Sequence, residues 1–311
     1  MEFTGLAIDR YKKNRLISDD EKADRLVQGR RLDVEPTYQL SVIKINSTYL
    51  ESVDRFFGGR GVLTLGASVA IVFSVVAIVT MGGLILHRYR AGLEDAATTF
   101  TSLALILVIS GPFAIWAYWI ARRELFRLTH YPIRLNRRNG ILYVHRLDGS
   151  ILSVPWGSVF FTLSPCSAMY GKTWDIRGLV LNVGGNTVKE EFAFSMWSTD
   201  KDDLRSHWEF LRRYMEEGPS AVLGQIEFCM PVDGKRESFR SGLERVFAPY
   251  AGHLFFFWMM LPFNLAVACC RWIVMRTCKI PIWPEDIESA CRIEEGDPYV
   301  RDARINPPNL R

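Results

Sequence analysis

Paired cysteines are missing from this chain. Its six cysteines, at 166, 229, 269, 270, 278 and 291, form no C-x-x-C pair and have no histidines near them at zinc-ligand spacing. Neither a metal site nor a disulfide framework is expected, and the usage fits a reducing compartment. Cys269 and Cys270, at the end of an apolar run, read as small buried hydrophobes. Catalytic signatures are equally scarce. The histidines, at 87, 130, 145, 207 and 253, stand in no H-E-x-x-H frame, and no G-x-S-x-G elbow occurs. "MYGKTWD" at 169–175 invites a phosphate-loop reading, but the glycine required five positions before Gly171 is Cys166, so a turn is expected. His207 and Glu209, two apart on one helix, do not face each other and read as solvent-facing. No catalytic residue, no cofactor and no enzymatic activity are expected.

Charge excess is small as well. A net charge of +4 gives no general argument for a polyanion, and no nucleic-acid partner is expected. The first 31 residues lack the apolar core of a signal peptide after their basic residues, so membrane insertion would rest on internal segments.

Long apolar runs are what the chain does have. Residues 62–86, "VLTLGASVAIVFSVVAIVTMGGLIL", carry no charge, and their length suffices to cross a hydrocarbon core of ~30 Å. Residues 98–121 are likewise uncharged and end in Trp116, Tyr118 and Trp119, rings that favour the headgroup level. Gly111-Pro112 would kink this second helix. The short link "HRYRAGLEDAA" permits only an antiparallel return, so residues 61–121 are expected to form a two-helix transmembrane hairpin. Arginines crowd beyond the second span and lysine and arginine precede the first, which puts the N-terminal region 1–60 and the middle module that begins at 122 on the cytoplasmic side.

A third apolar stretch, 254–270 within a segment 247–279, is shorter and holds Pro262 and Asn264. Basic residues flank it on both sides, and both a full span and a re-entrant or interfacial course fit it. A span would put the Pro-rich, charged tail 280–311 outside; a re-entrant segment would put it inside. "YLESVDRFF", at 49–57, has an apolar face suited to lying at the membrane interface.

The block between the apolar segments has strand texture. Asn139-Gly140, Asp148-Gly149 and Gly184-Gly185-Asn186 are the chemistry of two-residue hairpin turns, and they separate runs rich in β-branched and aromatic residues over 132–195. Five or six antiparallel strands follow. In "ILYVHR", Ile141, Tyr143 and His145 face one way and Leu142, Val144 and Arg146 the other. Pro155 belongs at a bulge or edge. The period then changes: Leu204, Trp208, Leu211 and Met215 mark one face of a helix over about 199–217, with Ser198 or Thr199 as N-cap. The fold class read from these signals is a membrane protein with a transmembrane hairpin, an α+β cytoplasmic module over 122–246 in which one C-terminal helix covers a bent antiparallel sheet, and a third apolar helical segment.

The order "NRRNGILYVHR", "SILSVPWGSV" and a closing helix bearing Trp208, flanked by membrane helices, resembles bacterial pleckstrin-homology-like (PH-like) domains over about 132–217. Such folds imply binding and scaffolding. "VIKINSTYLESVDRFFGGRG" (42–61), leading into a two-span hairpin and a β-rich module, is similar to an uncharacterised proteobacterial membrane-protein family associated with type VI secretion effector loci. That resemblance implies a setting and no catalytic residues.

The candidate contact residues are the arginines 122, 123, 127, 137 and 138 (Arg122, Arg123, Arg127, Arg137, Arg138) and the tryptophans Trp156 and Trp174. Each arginine near anionic lipid would contribute about 1 kcal/mol; the plainer reading is that they only set topology. The tryptophans would anchor a partner if exposed, and belong to the core if not. Expected partners are the bilayer and a protein, a cognate effector or secretion component, with Gly82-Gly83 and the small residues Gly66, Ala67 and Ser68 suited to homo-oligomeric helix contacts. The three functional classes are an immunity or accessory protein, an effector acting at a target membrane, and a lipid-surface sensor or scaffold.

Overall fold

The strand texture between 132 and 198 resolves into six strands, but they do not make one bent sheet. The computed structural model describes residues 3–4, 9–10, 14–168, 171–182, 184–250 and 252–311. Strands β1 (Phe3–Thr4) and β2 (Asp9–Arg10) form a two-stranded sheet. The elements that follow are β3 (Arg15–Leu16), α1 (Asp19–Ala23), β4 (Arg25–Leu26), β5 (Val42–Ile45), β6 (Tyr49–Ser52), α2 (Val62–Arg90) and α3 (Ala96–Ala121). Next come β7 (Ile133–Asn136), β8 (Ile141–His145), β9 (Ile151–Pro155), β10 (Val159–Ala168), β11 (Gly171–Leu181) and β12 (Thr187–Ser198). Four helices close the chain: α4 (Lys201–Glu216), α5 (Phe239–Phe247), α6 (Leu254–Thr277) and α7 (Glu285–Ala290). The chain divides into two compact units, one of Met1–Gly58, Leu128–Ser241 and Ile280–Arg311, the other of Gly59–Arg127 and Gly242–Lys279.

The first unit holds two five-stranded antiparallel sheets, ordered β5-β6-β7-β8-β9 and β3-β12-β11-β10-β4. They share one core: Leu50, Ile133, Leu135, Leu142 and Val144 from the first sheet meet Phe161, Leu163, Ile176, Phe192 and Phe194 from the second. The stripe Leu204, Trp208, Leu211 and Met215 of α4 closes the same core, as its spacing predicts. Asp200, not Ser198 or Thr199, is the N-cap, accepting from the Asp202 N–H. Strands β6 and β7 are neighbours in register, Tyr49 opposite Asn136 and Ser52 opposite Ile133. The chain between them therefore leaves the sheet, makes α2 and α3, and returns to the strand it left.

Several sequence expectations change here. Residues 49–52 form a buried strand in place of the interfacial segment, because their backbone pairs with both β5 and β7. The turns at Gly140 and Gly149 are longer than two residues, since pairing ends at Asn136–Ile141 and at His145–Ile151. Both glycines keep a positive φ, the conformation that closes such longer loops. Pro155 ends the edge strand β9, as expected. The tip of the 169–175 segment, Met169 and Tyr170, lies outside the described residues, as does Val183; Ala168 and Gly171 on either side of the tip are paired strand residues. Gly178 faces Phe192, whose ring carbons occupy the space where a Cβ would stand. The missing side chain is what lets that ring lie across β11.

The second unit is helical. Helices α2, α3 and α6 are each long and apolar enough to cross a membrane. Helix α3 is continuous through Pro112. Ala67 of α2 packs with Ala117 and Ala121 of α3, and a Cβ at Gly82 would stand 3.7 Å from Leu103 at the other end. Most of their remaining side chains, Val69, Phe73, Leu105 and Ile109 among them, are exposed. Cys269 is exposed and Cys270 half-buried, against expectation, because α6 buries only one stripe of its surface.

Candidate functional site

The outer face of β6, β7 and β8 carries Tyr49, Glu51, Arg134, Tyr143 and His145, which the strand alternation turns away from the shared core. Left bare, this would be a polar sheet face. It is covered by Trp283 and α7. Arg134 donates from Nε and Nη2 to Glu51 Oε2, at 3.1 and 2.8 Å, and from Nη1 to Glu288 at 3.2 Å. Its guanidinium carbon lies 4.4 Å from the Tyr49 ring and 4.7 Å from the Trp283 ring. Trp283 Nε1 donates to the other Glu51 oxygen at 2.9 Å, and the His145 ring stands 4.7 Å from the indole. Burial disfavours charge on Arg134, but Glu51, Tyr49 and Glu288 outweigh it and push its pKa up. Burial likewise pushes His145 down, so the imidazole is neutral at neutral pH.

A second polar cluster draws on β3, α1, β11 and β12. Arg177 donates to Asp175 at 2.8 Å and to Glu191 at 2.6 Å. Arg15 bridges Glu191 at 3.0 Å and Glu21 at 2.6 Å, and Arg55 pairs with Asp175. The result is a chain of alternating sign, Arg55–Asp175–Arg177–Glu191–Arg15–Glu21. Burial opposes the charge on Glu21, but Arg15, the Ser18 N–H and Ser164 Oγ hold its pKa down at about 2. A groove bordered by Asp54, Tyr131, His145, Arg146 and Glu191 holds about 40 Å³, room for roughly one water and not for a substrate. Charges committed to one another in this way rigidify a fold; they are not poised for proton transfer.

Closest to a catalytic pair is Ser195 with His207. Ser195 Oγ is 3.3 Å from His207 Nε2, and His207 Nδ1 is 3.1 Å from the Thr37 carbonyl. The carbonyl assigns the proton to Nδ1, so Nε2 accepts from the serine. His207 is fully buried, and that burial brings its pKa down to about 4. A backbone carbonyl stands where a triad would place a carboxylate, and the ring has no exposure to solvent, which makes this a packed hydrogen-bonded pair. The expected solvent-facing His207 and Glu209 are therefore both buried. The cause is a strap over 31–38: Leu32 N–H donates to Glu209, Arg213 donates to the Val34 carbonyl, and Thr37 N–H donates to the Ser206 carbonyl. Arg212 and Arg213 complete the Glu209 site at 2.8 and 2.7 Å.

The candidate contact residues separate. Trp156 is buried, stacked on Trp208 with centroids 5.4 Å apart and donating to Glu216 at 2.7 Å, so it is no partner anchor. Trp174 is half-buried against the core, with Lys201 Nζ 5.1 Å from its ring. An exposed tryptophan of the first unit's sheets is Trp197, which faces Asp175 across the β11–β12 pair and which no sequence pattern singles out. Arg137 and Arg138 lie in the β7–β8 turn, Arg138 pairing with Glu294. Arg122, Arg123 and Arg127 follow α3 in the second unit; Arg122 and Arg127 are exposed, and Arg123 lies 3.9 Å from the Trp119 ring. Among the described residues, no group of histidine, cysteine and carboxylate side chains is arranged to hold a metal.

Residues 112–295, from the middle of α3 through α7, match the family described as a family of unknown function, DUF6708. The chain belongs to the DUF6708 family. The matched stretch contains β7 to β12, α4, α6 and the Trp283–α7 cover, so the Arg134 cluster is mostly built from the family's own segment. No curated protein matches the chain, and no solved structure does.

Proposed function

We propose that the chain is a non-enzymatic, membrane-anchored binding protein. In this reading α2 and α3 cross a bacterial inner membrane as a helical hairpin, and the two-sheet unit is a cytoplasmic, PH-like module that holds a protein partner. One observation carries it: helices of 29 and 26 residues leave Val69, Phe73, Val79, Leu105, Ile109 and Ile115 exposed. At 1.5 Å per residue each exceeds the ~30 Å hydrocarbon thickness. The commitment of the buried carboxylates and arginines to internal pairs supports scaffolding over chemistry. Sheets joined through a core that one helix closes suit a PH-like description.

The resemblance of 42–61 and the following hairpin to proteins at type VI secretion effector loci supplies the setting, an immunity or accessory role toward a cognate effector. Expression with and without the product of an adjacent toxin gene tests it. Rescue from that toxin, with no harm from the chain alone, is the expected result; toxicity of the chain alone would instead make it an effector. Resistance of the full chain to carbonate extraction tests the anchoring separately. A lipid-surface role has its own support in Arg122, Arg123 and Arg127 beside the exposed Trp116 and Trp119. Replacing the three by glutamine and measuring recovery with anionic against neutral vesicles checks it; no change in preference would remove that reading.

A further inference from the structure

Helix α6 has the length and composition of a span, yet both of its flanks return to the same folded unit. Before it, Met230 N–H donates to the Val42 carbonyl, Asn306 bonds both the N–H and the carbonyl of Cys229, and Ser241 Oγ donates to the Leu310 carbonyl. After it, Trp283 donates to Glu51, Asn136 donates to the Ala290 carbonyl, and Arg301 pairs with Ile45. Residues up to 241 and from 280 onward thus belong to one sheet-containing unit, which lies on one side of any membrane. The chain between them must cross an even number of times.

Among the described residues of this stretch, one helix is long and apolar enough for that crossing. Residues 242–253, "GLERVFAPYAGH", hold Glu244 and Arg245, and about a dozen residues fall well short of the ~20 that a spanning helix needs. A non-helical passage would leave backbone groups unpaired in lipid. The packing of α6 agrees. Its buried stripe, Asn264, Val267, Ala268, Arg271, Val274 and Met275, lies entirely C-terminal to Pro262. There Gly61, just before α2, comes so close that a Cβ would stand 2.6 Å from Arg271 N and 2.7 Å from the Val267 carbonyl oxygen. At its end Cys278 Sγ donates to the Glu124 carbonyl and Lys279 N–H to the Arg127 carbonyl, level with the end of α3. No residue of 254–263 is buried; Leu254, Phe255 and Trp258 are 73%, 74% and 62% exposed.

We infer that α6 enters and leaves the bilayer on the side of the two-sheet unit, its aromatic half Leu254–Phe263 embedded in that one leaflet. This rests on the reading that α2 and α3 cross. Pro262, at the boundary between the bare and the packed halves, is where such a helix departs from α2. The C-terminal tail then lies on the same side as the N-terminal region, and the occupant of the bare half is lipid.

Single cysteine substitutions at exposed positions test this in the full chain: Leu93→Cys in the α2–α3 link, His253→Cys before α6 and Ile282→Cys after it. Each variant is treated in intact cells and in inverted vesicles with a membrane-impermeant maleimide, and reaction is read by peptide mass spectrometry so that the native cysteines stay in place. The expected result is labelling of the Leu93→Cys variant from one face and of the Ile282→Cys variant from the other. The His253→Cys variant should be labelled from the same face as Ile282→Cys, or resist both faces until detergent is added. Labelling of His253→Cys from the same face as Leu93→Cys, opposite Ile282→Cys, would overturn the inference while leaving the hairpin intact. Labelling of all three variants from one face would overturn the hairpin and the inference with it.

Discussion

The two units treat polarity in opposite ways. In the sheet unit, charged groups such as Arg134, Glu51, Asp175, Glu191 and Glu209 are buried, and each finds a partner of opposite sign. In the helical unit, apolar groups such as Phe73, Leu105 and Ile115 are exposed. Burying an unpaired charge costs several kcal/mol, whereas leaving an apolar side chain outside costs nothing if the surroundings are lipid. The two units thus differ in which class of group is left without protein around it.

Four measurements on the detergent-solubilised chain would break or sharpen that contrast. The largest effect is expected from Arg134→Ala, which strands Glu51 beneath Trp283. A loss of about 3–5 kcal/mol should appear in the denaturant midpoint, and a loss under about 1 kcal/mol would mean the cluster is not buried as described.

The next largest is a pH effect in the same unit. Folded His207 takes a proton only near pH 4, and unfolded histidine takes it near 6.5. Between those values the unfolded state binds more protons. Stability should therefore be full above pH 6.5 and decline as pH falls toward 4, by roughly 3 kcal/mol at most. In His207→Gln, which can keep both hydrogen bonds, this part of the decline should vanish; an unchanged pH profile would show that the ring is not buried neutral.

Gly61→Ala probes a tightly packed place in the helical unit. Gly61 has φ +96 and no room for a Cβ against Arg271. The strained backbone alone costs about 1–3 kcal/mol, so thermal unfolding should come earlier. An unaltered melting temperature would mean that α6 is not seated there. Smallest of all should be Phe73→Ala, on the bare side of α2. A shift below about 0.5 kcal/mol is expected because no protein contact is lost, and a core-sized loss would show that another chain covers this face.

Much of the fold is legible wherever one segment carries its own period. The six strands from 133 to 198, the stripe of α4 and the three apolar helices all follow from side-chain spacing within a few residues. The partners that cover polar faces are not legible. Glu51 meets Arg134 at a separation of 83 residues and Trp283 at 232. The strap over 31–38 and the tail beyond 280 have no periodicity, because each contributes isolated contacts and not a face. Glu209 reads as solvent-facing for that reason. Trp156 reads as core or, if exposed, as a partner anchor, and its contact with Trp208 is what decides.

By itself the sequence determined what is local: where helices and strands form, which of their faces are apolar, and which helices are long enough for a bilayer. Those properties depend on period and composition, and both are written along the chain. Tertiary structure alone decided that 49–52 is the strand beside β7, that α4 is covered on its polar face, and that both flanks of α6 close onto one unit. Such outcomes depend on long-range pairing of backbone and charge, where the partner's position is set only once the chain has folded.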